Sequence, residues 1–370
     1  MNLSALFGPL MGFNLKPIPA DIYGKKIILR VDFNIAVKKR KGADDLRLLK
    51  TLPTISFLRN KGAKVIIVSH LEKEGGCPSM RAVFNYARKK IKGLDFVGGM
   101  TGRSVSKMIE KLEPGGVLML ENLRLNPGEK KNSPVFAKSL ASMADIYINE
   151  AFSVSHRSHA SIVGIPDYLP SYAGFLFRDE IKNLSLAFNP PRPFTLIVGG
   201  NKLKTKIPLI KKFLRRADRV IVGGALAASF LYGKESKLQT PKITLPKDVI
   251  TERKRRKTAV DVSGLGKRDI IYDLGPKSMR EIAGFTKKSR FVLWNGPLGF
   301  VEKGHVFGTV SLIKALRSSK AKVVAGGGDT ADFLRSRGLA GGFYFISTAG
   351  GAMLDFLVCG TLPGIEALKK

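Results

Sequence analysis

Apolar runs that end in glycine-rich turns recur along this chain of 370 residues, and the repetition restricts its architecture more than any single motif does. The fullest example is Val323-Val324-Ala325-Gly326-Gly327-Gly328-Asp329-Thr330. Two β-branched residues and an alanine read as the end of a buried strand; the glycines let the backbone pass close to a ligand, and the Asp-Thr pair can cap a helix. Bare N–H groups at a helix start form an anion site, and an aspartate there suggests a metal-bound phosphate. Gly199-Gly200-Asn201-Lys202, Gly223-Gly224 and Thr348-Ala349-Gly350-Gly351 follow strand-like runs in the same way. Such turns imply an α/β sheet with its ligand across the carboxyl ends of the strands.

The runs fall into two series with amphipathic helices between them. The first is Lys26–Val31, Lys64–Ser69, Val117–Leu120 and Ile146–Ile148. The second is Phe194–Val198, Arg219–Val222, Ile270–Tyr272, Phe291–Leu293, Lys322–Ala325 and Phe343–Ile346. This alternation predicts parallel βαβ units. Between the series, residues 174–188 predict a helix, stopped by Asn189-Pro190-Pro191-Arg192-Pro193, because proline lacks the N–H and stiffens the turn. The expected division is an N-terminal domain over 1–173, a connecting helix and hinge over 174–192, and a C-terminal domain over 193–359.

Sixty-three Lys+Arg against 29 Asp+Glu leave a formal charge of +34. That raises the prior for nucleic acid, yet the bases are scattered, in clusters such as Lys38-Lys39-Arg40-Lys41 and Arg253-Lys254-Arg255-Arg256-Lys257. No aromatic residues are interleaved as a stacking platform needs, so any nucleic-acid binding is expected to be nonspecific. Cys77 and Cys359 are the only cysteines, in no metal-ligand spacing, which favours a reduced, cytoplasmic protein. The uncharged stretch through Leu15 has neither the basic start of a signal peptide nor the length to span a bilayer; it reads as a segment packed on the first domain.

Polar and basic side chains follow the strand ends of the first half. Arg30-Val31-Asp32-Phe33-Asn34 places Asp32 and Asn34 on one face of a strand terminus. Arg47, His70, Arg124 and Arg157 come after successive strands. A planar guanidinium grips carboxylate or phosphate in a bidentate manner, so bases collected at one sheet edge would form a bowl for a small polyanion. The second half supplies phosphate-cradling glycines with Lys202, Lys204 and Lys206, and no Gly-x-x-x-x-Gly-Lys-Ser/Thr loop. An anion-binding domain beside a nucleotide-binding domain suggests phosphoryl transfer, where positioning and charge stabilisation dominate.

From about Asp21 onward the chain resembles phosphoglycerate kinases. RVDFN (30–34), VSHL (68–71), LENLR (120–124), HRSHAS (156–161), VGGNK (198–202), LWNGPLG (293–299), GGGDT (326–330) and LPGIEAL (362–368) carry the resemblance. It implies two doubly wound parallel-sheet, Rossmann-like domains joined by a helix hinge, with residues of about 360–370 returning to the first. It implies in-line transfer from 1,3-bisphosphoglycerate to Mg-ADP, giving 3-phosphoglycerate and ATP, by a cytoplasmic glycolytic monomer that closes around its substrates. Asp32, Asn34, Arg47, His70, Lys73, Arg124 and Arg157 would bind the phosphoglycerate. Gly200, Lys202, Lys206, Gly223, Gly224, Asn295, Pro297, Glu302, Gly327, Gly328, Asp329 and Thr330 would bind the nucleotide, with Glu302 on the ribose and Asp329 on its Mg2+. Arg47, Lys202, Gly328 and Gly351 would act on the transferring group.

The sequence departs from the family in places. The family's SHLGRP is here Ser69-His70-Leu71-Glu72-Lys73-Glu74, so Lys73 keeps a charge but loses the guanidinium fork. Thr205 replaces an aspartate, Ala349 replaces a glycine, and the stretch between Gly233 and Ile243 is short. The rival reading is a catalytically impaired relative acting as a basic nucleic-acid-binding protein.

Overall fold

Runs of β-branched and aliphatic residues, buried on both faces, build two parallel sheets. Phe194–Val198 and Phe291–Asn295 are buried at every position, and Lys26–Arg30 and Lys64–Val68 at all but the first. Helices cover both faces of such sheets, so these strands are continuously apolar instead of alternating. The computed structural model describes residues 12–35, 37–38, 42–43, 45–238, 240–253, 256–266 and 269–370. The apolar start through residue 11 and the bases at 39–41 and 254–255 lie outside the described residues.

The described residues divide into two units. One runs to Lys182 and takes in Thr361–Lys370; the other is Asn183–Gly360. The first sheet has the spatial order Leu94–Phe96, Val117–Met119, Lys64–Val68, Lys26–Arg30, Ile146–Asn149, Ser171–Ala173. Its core gathers Ile27, Leu29, Val65, Ile67, Val117, Met119 and Ile148. At about 1.5–3 kcal/mol for each fully buried aliphatic side chain, this layer is a main stabilising contribution. The second sheet has the order Ile243–Thr244, Arg219–Val222, Phe194–Val198, Phe291–Asn295, Lys322–Gly326, Phe345–Ile346, over a core that includes Ile197, Val292, Trp294, Val323 and Ala325. In each unit the strand order reverses beside the first strand. Arg30 pairs with Asn149 there in the first unit, and Val198 with Asn295 in the second. Loops leaving a sheet at such a reversal open a crevice for ligand.

Ile270–Tyr272 is not a strand. The strand lies at Asp273–Leu274 and pairs antiparallel with Asp248–Arg253, which also pairs with Arg256–Asp261 in a separate small sheet. Ile270 is 60% exposed, so an apolar pair in a loop imitated a strand. The predicted helix over 174–188 is an α-helix over Phe175–Ser185 followed by a 3-10 turn over Leu186–Phe188. Among the described residues no helix is long and apolar enough to cross a membrane.

Candidate active site

In the first unit the chain leaves the strand Lys26–Arg30, and just beyond it the Asn34 N–H donates to Asp32 Oδ1 at 3.0 Å. The strand ladder ends at Arg30, so Asp32 and Asn34 lie just past it, linked by this side-chain-to-backbone bond. Asp32 is buried and pairs with Arg47 Nη1 at 3.0 Å, with His70 Nδ1 3.9 Å away. Burial alone would raise its carboxyl, but Arg47, His70, the Ser153 hydroxyl and the Asn34 amide together hold it down at about 2. His70, buried with Arg30 Nη2 at 3.2 Å from Nδ1, is pushed well below the usual imidazole range by burial and by Arg30, Arg124 and Arg157, against the pull of Asp32. It is a neutral hydrogen-bonding group at pH 7.

Arg124 follows the strand Val117–Met119 in a single 3-10 turn, where its N–H donates to Asn122 Oδ1 at 3.0 Å. Its side chain is buried; burial, then Arg157 and Arg30, lower its guanidinium to about 10. Arg157 is exposed and donates to His156 Nε2 at 3.4 Å. Lys73 lies on an exposed turn whose backbone pairs with Gly76. Sequence reasoning missed three neighbours: Arg30, which donates to Ser161 Oγ at 2.8 Å, Glu72, which pairs with Arg124 and Lys130, and Glu129, which accepts from Ser161. Arg30 and Glu72 sit inside motifs that were already noted, so position within the motif was their only signal.

In the second unit, the helices Leu203–Phe213, Ala225–Tyr232, Gly328–Ser336 and Gly351–Cys359 begin at Lys202, Gly224, Gly327 and Gly350, and none has a side-chain cap. Asp329 thus does not cap its helix, as the sequence suggested; it lies exposed in the first turn, while Thr330 is buried and accepts from the Gly296 N–H at 2.9 Å. Helix starts without caps leave N–H groups for an anion. Beside the starts at Gly224 and Gly327 lies an open cleft lined by Gly200, Asn201, Gly224, Ala225, Ile271, Tyr272, Pro297, Gly299, Phe300, Glu302 and Asp329. Of the predicted nucleotide residues, Gly200, Gly224, Pro297, Glu302 and Asp329 line it; Lys202, Lys206, Gly223, Asn295, Gly327, Gly328 and Thr330 do not, and neither does Gly351. Asn295 is buried and donates to the Gly326 carbonyl at 3.1 Å, which holds neighbouring turns together. Ile271, Tyr272 and Phe300, on loops, were not foreseen. The turns are interlocked: a Cβ on Gly199 would stand 2.1 Å from the Pro297 carbonyl oxygen.

Lys206 is buried with Nζ on the Gly199 carbonyl, and burial, with Lys202 adding and Asp329 opposing, lowers its ammonium to about 8. In the unfolded chain that lysine titrates near its ordinary 10.5, so between about pH 8 and 10.5 the unfolded state binds more protons. Stability should rise with pH across that window, by up to about 3 kcal/mol if the whole shift is expressed. Lys206→Met should remove the rise; urea unfolding at pH 8 and at pH 10, for both proteins without ligands, measures it.

A doubly wound unit with a buried cationic cluster and a second with an uncapped, glycine-walled cleft define a phosphotransferase of the two-unit α/β class. The family model described as phosphoglycerate kinase matches residues 18–241 and 232–359. The chain is 37% identical over 381 residues to the phosphoglycerate kinase of Leptospira biflexa, covering 94% of this chain and 96% of that one, and 37% identical over 388 residues to that of Caulobacter vibrioides, covering 95% and 98%. The solved phosphoglycerate kinase of Pyrococcus horikoshii superposes with a TM-score of 0.84 at 29% identity, over 94% of this chain and 97% of that one. The chain belongs to the phosphoglycerate kinase family and is a phosphotransferase with a carboxyl group as acceptor. The family assignment favours the enzyme reading over the nucleic-acid-binding one.

Proposed function

We propose that the first unit binds 3-phosphoglycerate or 1,3-bisphosphoglycerate and the second binds ADP or ATP with Mg2+. The observation that carries this is the cluster of buried Arg30, Arg124 and neutral His70 with partly exposed Arg47 around Asp32, set at a reversal of strand order. Ionised Asp32 orients Arg47, and His70 donates or accepts without adding charge. Arg124 and Arg157 grip the anionic ends of the phosphoglycerate, Lys73 adds unforked charge, and Asn34 fixes the loop. On the nucleotide side, Ile271, Tyr272, Phe300 and Pro297 flank the base, Gly223 and Gly224 admit it, and Glu302 meets the ribose. Uncapped amides at Gly328 and Gly351, with Lys202, face the phosphates, while Lys206, Asn295, Thr330, Gly200 and Gly327 shape the turns.

Among the described residues no group of three or more His, Cys, Asp or Glu forms a metal cage. Asp329 on the cleft, outside any cluster of three metal-ligating side chains, suits a cation carried by nucleotide phosphates. Mg2+ bound there neutralises charge on those phosphates. Arg47 in the first unit and Lys202 in the second each supply positive charge for phosphoryl transfer, which needs positioning and opposite charge more than a general base. We read the enzyme as a cytoplasmic monomer: both cysteines are free, which fits a reducing compartment. Nucleic-acid binding is nonspecific counter-ion exchange that fades toward physiological salt.

Arg124→Ala and Arg157→Ala should each raise the KM for 3-phosphoglycerate about tenfold or more, for a charge-assisted contact of ~1.5–3 kcal/mol, and leave nucleotide affinity unchanged. Calorimetric titration with each substrate checks both halves. Unaltered phosphoglycerate binding in both variants would remove these arginines from the site.

A further inference from the structure

Arg124 is already occupied. Its Nη1 donates to Glu72 Oε2, and Lys130 Nζ reaches Glu72 Oε1 at 2.6 Å. Arg124 is 2% exposed in its side chain and Glu72 36%, so the carboxylate approaches the buried guanidinium from the solvent side. The Glu72 backbone is pinned, since its N–H donates to Asn34 Oδ1 at 3.2 Å and the next residue turns back to Gly76. Its side chain is the part that can leave. Arg124 Nε is buried and has no hydrogen-bond partner, so the guanidinium holds a donor for an acceptor that Glu72 does not supply.

We propose that Glu72 is a built-in competitor for the phosphoglycerate, a carboxylate that neutralises Arg124 and Lys130 in the free enzyme and is displaced when the anionic group of the substrate arrives. This rests on the assignment of Arg124 to the phosphoglycerate site. Arg30, Arg124 and Arg157 are close enough to lower the affinity of neighbouring groups for protons, so an unliganded cluster without Glu72 carries mutually repelling cations. A phosphate has the oxygens to take over the Nη1 contact and also meet Nε, which a single Glu72 oxygen does not. Displacement is a ground-state event, common to substrate and transition state, so it acts on KM and leaves turnover alone. The substitution of a side chain here is without backbone strain, because Asn132 is the one non-glycine with positive φ among the described residues.

The test is steady-state kinetics of Glu72→Gln and Glu72→Gly with 3-phosphoglycerate varied at saturating Mg-ATP, beside Arg124→Ala. Both Glu72 variants should lower the KM for 3-phosphoglycerate about 5-fold, the upper end for a partly exposed ion pair. Turnover and nucleotide KM should stay within about 2-fold, inside the few tenths of a kcal/mol by which distant sites couple. The rise in Tm on adding 3-phosphoglycerate should also be larger in both variants than in the parent, because the free state has lost its internal anion. A KM that is unchanged or raised in both Glu72 variants, with Arg124→Ala still raising it, would mean that Glu72 merely positions Arg124 and would overturn the proposal. An unchanged KM in Arg124→Ala would instead overturn the assignment of the site on which it rests.

Discussion

Lys202→Ala is expected to lower turnover at saturating substrates by about 10²-fold or more, and Arg47→Ala to do the same. Lys202 is exposed at the N-cap of Leu203–Phe213, a helix start that no side chain caps. Arg47 stands on the helix Leu46–Asn60 and is held by Asp32 at 3.0 Å, which fixes the direction of its guanidinium. On the proposed function each cation counters negative charge that develops only as the phosphoryl group moves. Their loss therefore falls on kcat, while KM for either substrate shifts by a few-fold at most. Arg47→Lys keeps the charge without the fork and should recover part of the loss. Stopped-flow turnover with circular dichroism as the control for folding measures this. Near-normal turnover in either alanine variant would remove that residue from the transfer step.

A second large effect is expected at Gly296. Its φ is +90°, a conformation that L side chains rarely adopt, and a Cβ there would stand 2.3 Å from the Gly199 carbonyl oxygen and 2.6 Å from Lys206 Nζ. Neither neighbour can give easily, since Gly199 is backbone at the end of a central strand and Lys206 is buried on the same carbonyl. Gly296→Ala should destabilise the second unit by about 3 kcal/mol or more, from backbone strain and overpacking together, and abolish the rise in Tm that nucleotide produces. Gly284 provides the contrast. It is exposed within the helix Pro276–Lys288, and a Cβ would meet nothing within 4 Å, so Gly284→Ala should stabilise by about 0.5–1 kcal/mol. Urea unfolding of both variants checks the opposite signs. Two falls or two rises would show that local backbone geometry does not decide these positions.

The central strands could be read from sequence because burial on both faces leaves a continuous apolar run: Phe194–Val198 and Arg219–Val222 form as predicted. Leu94–Phe96, Ser171–Ala173 and Ile243–Thr244 lie at or beside sheet edges and are two or three residues long, too short for any periodicity to register. The ribbon Asp248–Arg253 with Arg256–Asp261 was hidden for another reason. Its second strand is almost wholly exposed and reads as a basic cluster. Glycine turns announced the cleft, because close backbone approach demands glycine in any context. Its apolar lining did not announce itself, since Ile271, Tyr272 and Phe300 come from loops without a pattern. The bond from the Asn34 N–H to Asp32 was not legible, because a strand face and a side-chain-to-backbone bond both relate residues i and i+2.

Residues 361–370 pack into the first unit: Leu362, Ile365 and Leu368 are buried, and the Gly364 N–H donates to the Ser155 carbonyl at 2.9 Å. On the ribosome, the half of the protein made first must therefore wait for residues that follow the whole of the second unit. At roughly 5–20 residues per second, synthesis of the intervening segment 183–360 takes about 10–40 s. During that interval the surface destined for Leu362 and Ile365 lies open beside the cationic cluster, and the second unit can finish folding before the first one does.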